Sequence, residues 1–162
     1  LLALPKSFWG MQLAHLGLAV TALGIVVVSN NDIKHDVTMV PGQVDKLGAY
    51  EVKFLGSEEV EGPNYRALQG HFELSQNGKT ITKLHPQKRF YHSQAGNVMT
   101  EAAINARLSR DLYVAMGERL DNGAWSLTLQ YKPFVRLIWL GALMMVLGAI
   151  LALLDSRYKS RG

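Results

Sequence analysis

Residues 8–28 read FWGMQLAHLGLAVTALGIVVV, an apolar run of about twenty residues that carries no formal charge. As a helix rising about 1.5 Å per residue, this run is roughly 30 Å long, which matches the hydrocarbon core of a bilayer. Residues 137–154 form a second uncharged apolar run. A cleaved signal peptide is disfavoured for the first run, because its apolar core would span about 7–15 residues and precede a small-residue cleavage site. The sequence therefore predicts two transmembrane helices.

Charged residues beside the two runs predict how the chain crosses the membrane. Lys6 precedes the first run, and the basic residues Arg157, Lys159 and Arg161 follow the second. Basic residues in short flanks favour the cytoplasmic side, so both ends are expected there and the central region on the opposite side. The expected organisation is a transmembrane helix in residues 1–29, a β domain in 30–132, a transmembrane helix in 133–155 and a basic cytoplasmic tail in 156–162.

Composition excludes several classes of function. The chain has no cysteine, which rules out disulfides, thiolate catalysis and thiolate metal sites. Its formal net charge of +4 is spread along the sequence and forms no basic stripe, so no nucleic-acid partner is expected. Because Leu1 is not an initiator methionine, we expect the chain to be a piece of a longer polypeptide.

Short segments separated by turn signals fill the central region. Apolar and polar patterning predicts strands at residues 36–40, 50–55, 65–74, 80–84, 111–115 and 125–131. Asn77-Gly78 predicts a tight hairpin turn, since both residues readily adopt positive φ values. Residues 99–107 have a helical composition, with an extended segment as the alternative. The expected fold class is a membrane protein segment in which two transmembrane helices flank a small, mainly antiparallel β domain, a barrel or a sandwich.

His15 is the one ionisable residue within the first apolar run. An ionisable side chain at membrane depth is costly and rarely lacks a partner or a ligand. Three interpretations are open: a neutral imidazole hydrogen-bonded within the protein, a proton or quinone relay, and an axial ligand to haem iron. A stripe of small residues beside His15 allows another helix or a flat macrocycle to approach the backbone. Its members are Gly10, Ala14, Gly17, Thr21 and Gly24.

The central region contains four further histidines and no convincing catalytic set. His35, His71, His85 and His92 are scattered over predicted strands and loops, so we expect them to be ordinary exposed residues. No nucleophile-elbow, zinc-site or phosphate-loop pattern accompanies them. The central region is therefore expected to be an interaction or support domain.

Six short strings, in order across nearly the whole chain, carry a family resemblance. They are Trp9-Gly-Met-Gln-Leu-Ala-His-Leu-Gly17, Glu61-Gly-Pro-Asn-Tyr65, Met99-Thr-Glu-Ala-Ala-Ile104, Arg110-Asp-Leu-Tyr113, Gly123-Ala-Trp125 and Lys132-Pro-Phe-Val-Arg136. With these strings the sequence resembles the C-terminal portion of the CcmF-type haem lyases of bacterial cytochrome c maturation. It is also similar to their NrfE-type paralogues.

The resemblance implies a multi-pass enzyme of the bacterial inner membrane whose central domain lies in the periplasm. Such a haem lyase attaches haem covalently to the Cys-X-X-Cys-His motif of apocytochrome c, and it holds a stable haem b between two membrane histidines. His15 matches the second of these by its Ala-His-Leu-Gly setting, which makes it the expected axial ligand to the haem iron. The b haem is implied to pass electrons that reduce the incoming haem, with quinol as a candidate donor.

Other parts of the family match no residue here, namely the partner membrane histidine, the tryptophan-rich haem-handling segment and its flanking periplasmic histidines. This segment alone is therefore expected to be inactive, and its catalytic residues are unknown. The implied partners are the upstream part of the same lyase, a periplasmic haem chaperone, apocytochrome c and its thiol-handling chaperones, and membrane lipid.

The ring nitrogen of His15 that does not bind iron is expected to donate a hydrogen bond that fixes the orientation of the ring. An alternative from another class of protein is a non-catalytic membrane anchor and docking module of a cytochrome assembly complex. In that alternative, His15 makes a structural polar contact.

Overall fold

The computed structural model describes residues 4–92 and 98–155, which form two helices and ten strands. These elements divide into two compact units. Within the described residues, the helical unit comprises 4–31, 108–110 and 133–155, and the sheet unit comprises 32–92, 98–107 and 111–132. The predicted basic tail, residues 156–162, lies outside the described residues.

The helical unit contains two long helices, α1 at Lys6–Asn31 and α2 at Arg136–Leu153. Helix α1 has 26 residues and α2 has 18, and by length and composition both are able to cross a membrane. The helices are antiparallel, because Gly10 near the start of α1 approaches Gly148 near the end of α2. The two predicted apolar runs are thus helices that pack on each other.

Two asparagines end helix α1 beyond the apolar run. The side-chain amide of Asn30 donates to the carbonyl oxygen of Val26 (2.8 Å), and that of Asn31 donates to the carbonyl oxygen of Val27 (2.9 Å). Both side chains fold back onto carbonyl groups of the preceding turn, at the polar end of the helix. Helix α1 therefore ends at the point where the sequence becomes polar.

Glycines spaced seven residues apart form the contact face between the helices. Gly10, Gly17 and Gly24 on α1 are buried, as are Gly141 and Gly148 on α2. A Cβ atom on Gly17 would lie 2.6 Å from the carbonyl oxygen of Gly141, and one on Gly10 would lie 2.5 Å from that of Gly148. A seven-residue spacing keeps residues on one side of a helix, so the two backbones touch over several turns.

The sheet unit is built from ten strands, β1 to β10 in chain order. They are β1 Ile33–Met39, β2 Val44–Leu47, β3 Tyr50–Glu61, β4 Tyr65–Gln76, β5 Lys79–Leu84, β6 Gln87–Tyr91, β7 Val98–Glu101, β8 Ala103–Arg107, β9 Arg110–Arg119 and β10 Trp125–Pro133. One sheet has four strands in the order β1-β10-β9-β8. The other has six, in the order β2-β3-β4-β6-β7 with β5 also paired to β4.

Side chains from both sheets form a single apolar core. Phe54 and Phe72 stack with ring centroids 4.9 Å apart as a cross-strand pair of β3 and β4. Leu112, Leu127 and Leu129 of the four-stranded sheet are buried in the same cluster. The sheets therefore face each other as an antiparallel β-sandwich, which confirms the predicted fold class and selects the sandwich over the barrel.

Strand β4 pairs with β3 along one side, and on its other side it changes partner halfway along its length. Its second half pairs with β5 and its first half with β6, and Pro86 lies between those two strands. Proline has no backbone N–H and cannot donate to a ladder, but the Pro86 carbonyl accepts from the N–H of Gly70 (2.9 Å). Strands β5 and β6 thus lie end to end along the same side of β4.

The hairpin predicted at Asn77-Gly78 is confirmed. Asn77 has φ of 52° and Gly78 has φ of 74°, and the two residues join β4 to β5. The helical interpretation of residues 99–107 is wrong, because this segment forms β7 and β8. Strand pairing overrides the local helix propensity. Strand β7 pairs with β6, with an ion pair between Arg89 and Glu101 (3.0 Å), and β8 pairs with β9.

Candidate functional site

His15 lies on the exposed surface of helix α1 in the helical unit. Its Nδ1 atom is 2.7 Å from the carbonyl oxygen of Met11, one turn earlier on the same helix. A carbonyl oxygen only accepts hydrogen bonds, so Nδ1 carries the proton and donates. This bond fixes both the tautomer and the orientation of the ring.

The second ring nitrogen, Nε2, has no hydrogen-bond partner among the described residues. In the neutral tautomer that Met11 selects, Nε2 carries the lone pair that binds a metal. An open groove of about 240 Å³ lies beside the ring, and Ala14, Leu18 and Met145 line it with His15. The site therefore combines one oriented nitrogen donor with an apolar wall.

The small-residue stripe beside His15 is a helix-packing surface. Gly10, Gly17 and Gly24 approach α2 closely, and the hydroxyl of Thr21 lies 3.5 Å from the carbonyl oxygen of Ile138, to which it donates. The sequence allowed either another helix or a flat macrocycle to approach this stripe, and in the structure helix α2 packs there. The sequence analysis did not predict the matching contact face of α2, although its glycines Gly141 and Gly148 have the same seven-residue spacing.

His85 and His92 are exposed, as predicted, whereas His35 and His71 are half-buried, and His71 and His85 are not scattered but adjacent. Their rings lie edge to face with centroids 4.9 Å apart, and His71 Nε2 donates to Glu58 Oε1 at 2.9 Å. The two residues are 14 positions apart in sequence, but antiparallel pairing of β4 with β5 brings them together. We call this set the His71–His85 cluster.

Two other histidines do not join that cluster. His35 on β1 faces Asp45 on β2, with Nδ1 3.0 Å from Oδ2, and His92 is exposed. Across residues 4–92 and 98–155, no group of three or more histidine, aspartate and glutamate side chains is placed to hold a metal ion. His15 thus presents a single donor, and any metal bound there needs ligands from elsewhere.

Comparison with known proteins places this arrangement in a family. The CcmF C-terminal beta-sandwich family matches residues 30–133. The chain is 52% identical over 157 residues to a "Cytochrome c-type biogenesis protein CcmF" from Pseudomonas aeruginosa, covering 97% of this chain and 24% of that protein. It is 48% identical over 155 residues to the Escherichia coli protein of that name, covering 96% of this chain and 24% of that protein.

A solved structure has the same fold. The chain named "Cytochrome c Heme Lyase CcmF" superimposes with a TM-score of 0.77 and 17% sequence identity, over 93% of this chain and 25% of that one. At this level of identity the likeness concerns the fold. The chain spans about a quarter of the length of the relatives it matches.

An antiparallel β-sandwich lies in sequence between two apolar helices, which defines the class: a β-sandwich protein with two helices able to cross a membrane. The chain belongs to the CcmF C-terminal beta-sandwich family. The resemblance seen in the six sequence strings is thereby confirmed.

Proposed function

We propose that this chain is part of a haem lyase that attaches haem covalently to apocytochrome c, and that His15 provides one axial ligand to a stable haem b in the membrane. Relatives that carry the names of cytochrome c biogenesis and haem lyase proteins support the first part. The orientation of the His15 ring, with Nδ1–H on Met11 and Nε2 pointing away, carries the second.

The residues around His15 fit one face of a haem. Imidazole is a common axial ligand, and a neutral ring is the form that low-dielectric surroundings favour. The backbone carbonyl of Met11 acts as the outer partner that holds such a ring and increases its basicity. Leu18 and Met145 give the groove an apolar wall suited to a porphyrin edge.

Haem b bound at this position would supply one-electron chemistry, which would reduce the iron of the haem being attached. The chain's own residues have a narrower task. His15 fixes one coordination position, and the glycine contact between α1 and α2 keeps its helix from shifting. The other ligand, and the groups that handle the incoming haem, would come from the remaining three quarters of the protein, so the isolated segment should be inactive.

The proposed topology places the sheet unit in the periplasm and both chain ends in the cytoplasm. Because the two helices are antiparallel, the start of α1 lies beside the end of α2. This arrangement supports a topology in which both chain ends are on the same side of the membrane. In this position the sheet unit is available to apocytochrome c, its thiol-handling chaperones and a periplasmic haem chaperone. Quinol is the proposed electron source for the haem b.

The test is a reduced-minus-oxidised absorbance spectrum of the purified full-length complex with His15→Ala. We expect loss of the b-type signal, because removing the imidazole leaves the iron without one axial bond. Gln12→Ala is the matched control, since Gln12 is an exposed polar residue on the same helix, and it should keep the signal. Unchanged haem content and midpoint potential in His15→Ala would support the non-catalytic anchor instead.

A further inference from the structure

A second concave site lies in the sheet unit, around the His71–His85 cluster. It is an open pocket of about 390 Å³ formed by β3, β4 and the end of β5. Its lining residues are Leu55, Gly56, Ser57, Glu58, His71, Phe72, Lys83 and His85. The site is separate from His15, which belongs to the helical unit.

A β-bulge forms one wall of this pocket. The register of β3 on β4 shifts between Phe54 and Gly56, and Gly56 has φ of 141°, a value that side-chain-bearing residues rarely adopt. The extra residue, Leu55, remains 41% exposed. Beyond the bulge, Glu58 reaches back to accept the hydrogen bond from His71. The bulge therefore shapes both the apolar and the acidic side of the pocket.

Several polar groups of the pocket are unused. Within the described residues, the Lys83 ammonium, the His85 imidazole and the Ser57 hydroxyl have no hydrogen-bond or ion-pair partner. Glu58 is the one carboxylate of the lining set, and it is already engaged by His71 at 2.9 Å. Glu73 lies opposite Lys83 in the strand register but accepts instead from the Thr80 hydroxyl at 3.0 Å. The Lys83 ammonium can only donate, and the Ser57 hydroxyl and the His85 ring can each donate as well, so these groups can together bind an acceptor.

We propose that this pocket binds a carboxylate group attached to an apolar body. The Lys83 ammonium and the His85 ring would donate to the carboxylate, and the exposed side chain of Leu55 would contact the apolar part. A charge-assisted hydrogen bond such as that from the Lys83 ammonium is about twice as strong as a neutral one. Two kinds of ligand present a carboxylate on an apolar body: a porphyrin, through its propionates, and a polypeptide, through an acidic group.

The experiment uses the 162-residue chain in detergent micelles and follows the imidazole NMR signals of His71 and His85, with His92 as an internal reference. One arm titrates iron-free protoporphyrin IX against its dimethyl ester. The other titrates a short apolar peptide with a free C-terminal carboxylate against its C-terminal amide. We expect saturable shifts of His71 and His85 with at least one acid and none with its neutral counterpart.

The responding arm identifies the source of the carboxylate. Lys83→Gln should weaken binding roughly fivefold to tenfold, the effect of losing one charge-assisted hydrogen bond at a partly exposed site. Lys79→Gln, at the far end of the same strand, is the matched control and should change binding less than twofold.

Equal binding of the acid and neutral forms, no shift with either acid, or no effect of Lys83→Gln would overturn the inference. Because the test does not involve His15, its outcome is independent of the proposed haem ligation.

Discussion

The carboxylate of Asp155 accepts a hydrogen bond from the backbone N–H of Ser7, with 2.8 Å between Oδ2 and N. These residues are 148 positions apart, and Asp155 is 4% exposed. Ser7 lies in the first turn of α1, where backbone N–H groups lack intrahelical partners and the helix dipole favours negative charge. Asp155, just past the end of α2, therefore caps α1 from the neighbouring helix.

Removing this cap should destabilise the helix pair. Asp155→Ala is expected to lower the free energy of unfolding by about 1 kcal/mol, the usual effect of losing a capping side chain. The measurement is thermal or denaturant unfolding of the chain in micelles, followed by helical circular dichroism. Glu59→Gln, an exposed carboxylate on β3, serves as the control. An Asp155→Ala midpoint equal to that of the control would contradict the capping role.

Enlarging the central glycine of the contact face should separate the helices. A Cβ atom on Gly17 would lie 2.6 Å from the Gly141 carbonyl oxygen and 2.8 Å from the Met145 backbone nitrogen. Neither neighbour is a flexible side-chain end, so Gly17→Val should cost about 1–3 kcal/mol of helix-pair stability. Ala19→Val places a similar side chain on the exposed face of α1 and should be nearly neutral. Similar unfolding midpoints for the two variants would refute the close backbone contact.

Added imidazole should restore the haem spectrum of a His15→Gly variant of the full-length protein. A free imidazole molecule can occupy the vacated coordination position, whereas it cannot rebuild a hydrogen bond that orients a helix. Pyrrole is the control, because it has a similar shape and no lone pair for iron. Recovery of the b-type signal with imidazole alone is expected. Equal effects of both compounds would count against ligation by His15.

The hydroxyl of Thr128 lowers the pKa of Asp36 below its usual range, with a smaller contribution from the Lys34 ammonium. A lowered folded-state pKa favours folding above the unfolded value of about 3.9, and that contribution is lost as pH falls through the folded value. Thr128→Val should raise the pKa of Asp36, and Thr128→Ser should preserve it. Carboxyl ¹³C titration of Asp36 measures both. No upward shift in Thr128→Val would show that Lys34 dominates.

Gly70 is the point where β4 changes partner from β6 to β5, and the Met116 side chain of the other sheet packs against it. A Cβ atom there would lie 2.6 Å from the sulfur of Met116, which is 1% exposed. Gly70→Ala should therefore cost about 1–3 kcal/mol in urea unfolding. In a Met116→Ala background the same change should cost less, since the added methyl enters the vacated space. Equal costs in both backgrounds would disprove this contact.

Periodicity was sufficient to predict both helices and the antiparallel character of the central region. The apolar runs, the Asn77-Gly78 turn and strands such as β4 and β9 depend on local patterns, which the sequence displays directly. Local composition failed at residues 99–107, where partner strands determine the conformation: β6 pairs with β7, and β9 pairs with β8. Propensity is a weak guide where the cross-strand neighbour is unknown.

The pairing of His71 with His85 could not be predicted from the turn alone. A regular hairpin at Asn77-Gly78 would place Leu84 opposite His71. The register shifts by one residue between Leu74 and Ser75, so Phe72 pairs with Leu84 and His71 lies beside His85. The sequence shows no signal for that bulge, because it depends on how both sheets twist and pack.

The glycine contact between α1 and α2 also constrains the order of assembly. About one hundred residues separate the end of α1 from the start of α2. At typical ribosomal rates of about 5–20 residues per second, α1 emerges roughly 5–20 s before α2 exists. During synthesis the glycine face of α1 therefore has no native neighbour, and the contact with α2 forms only after the whole sheet unit has been synthesised.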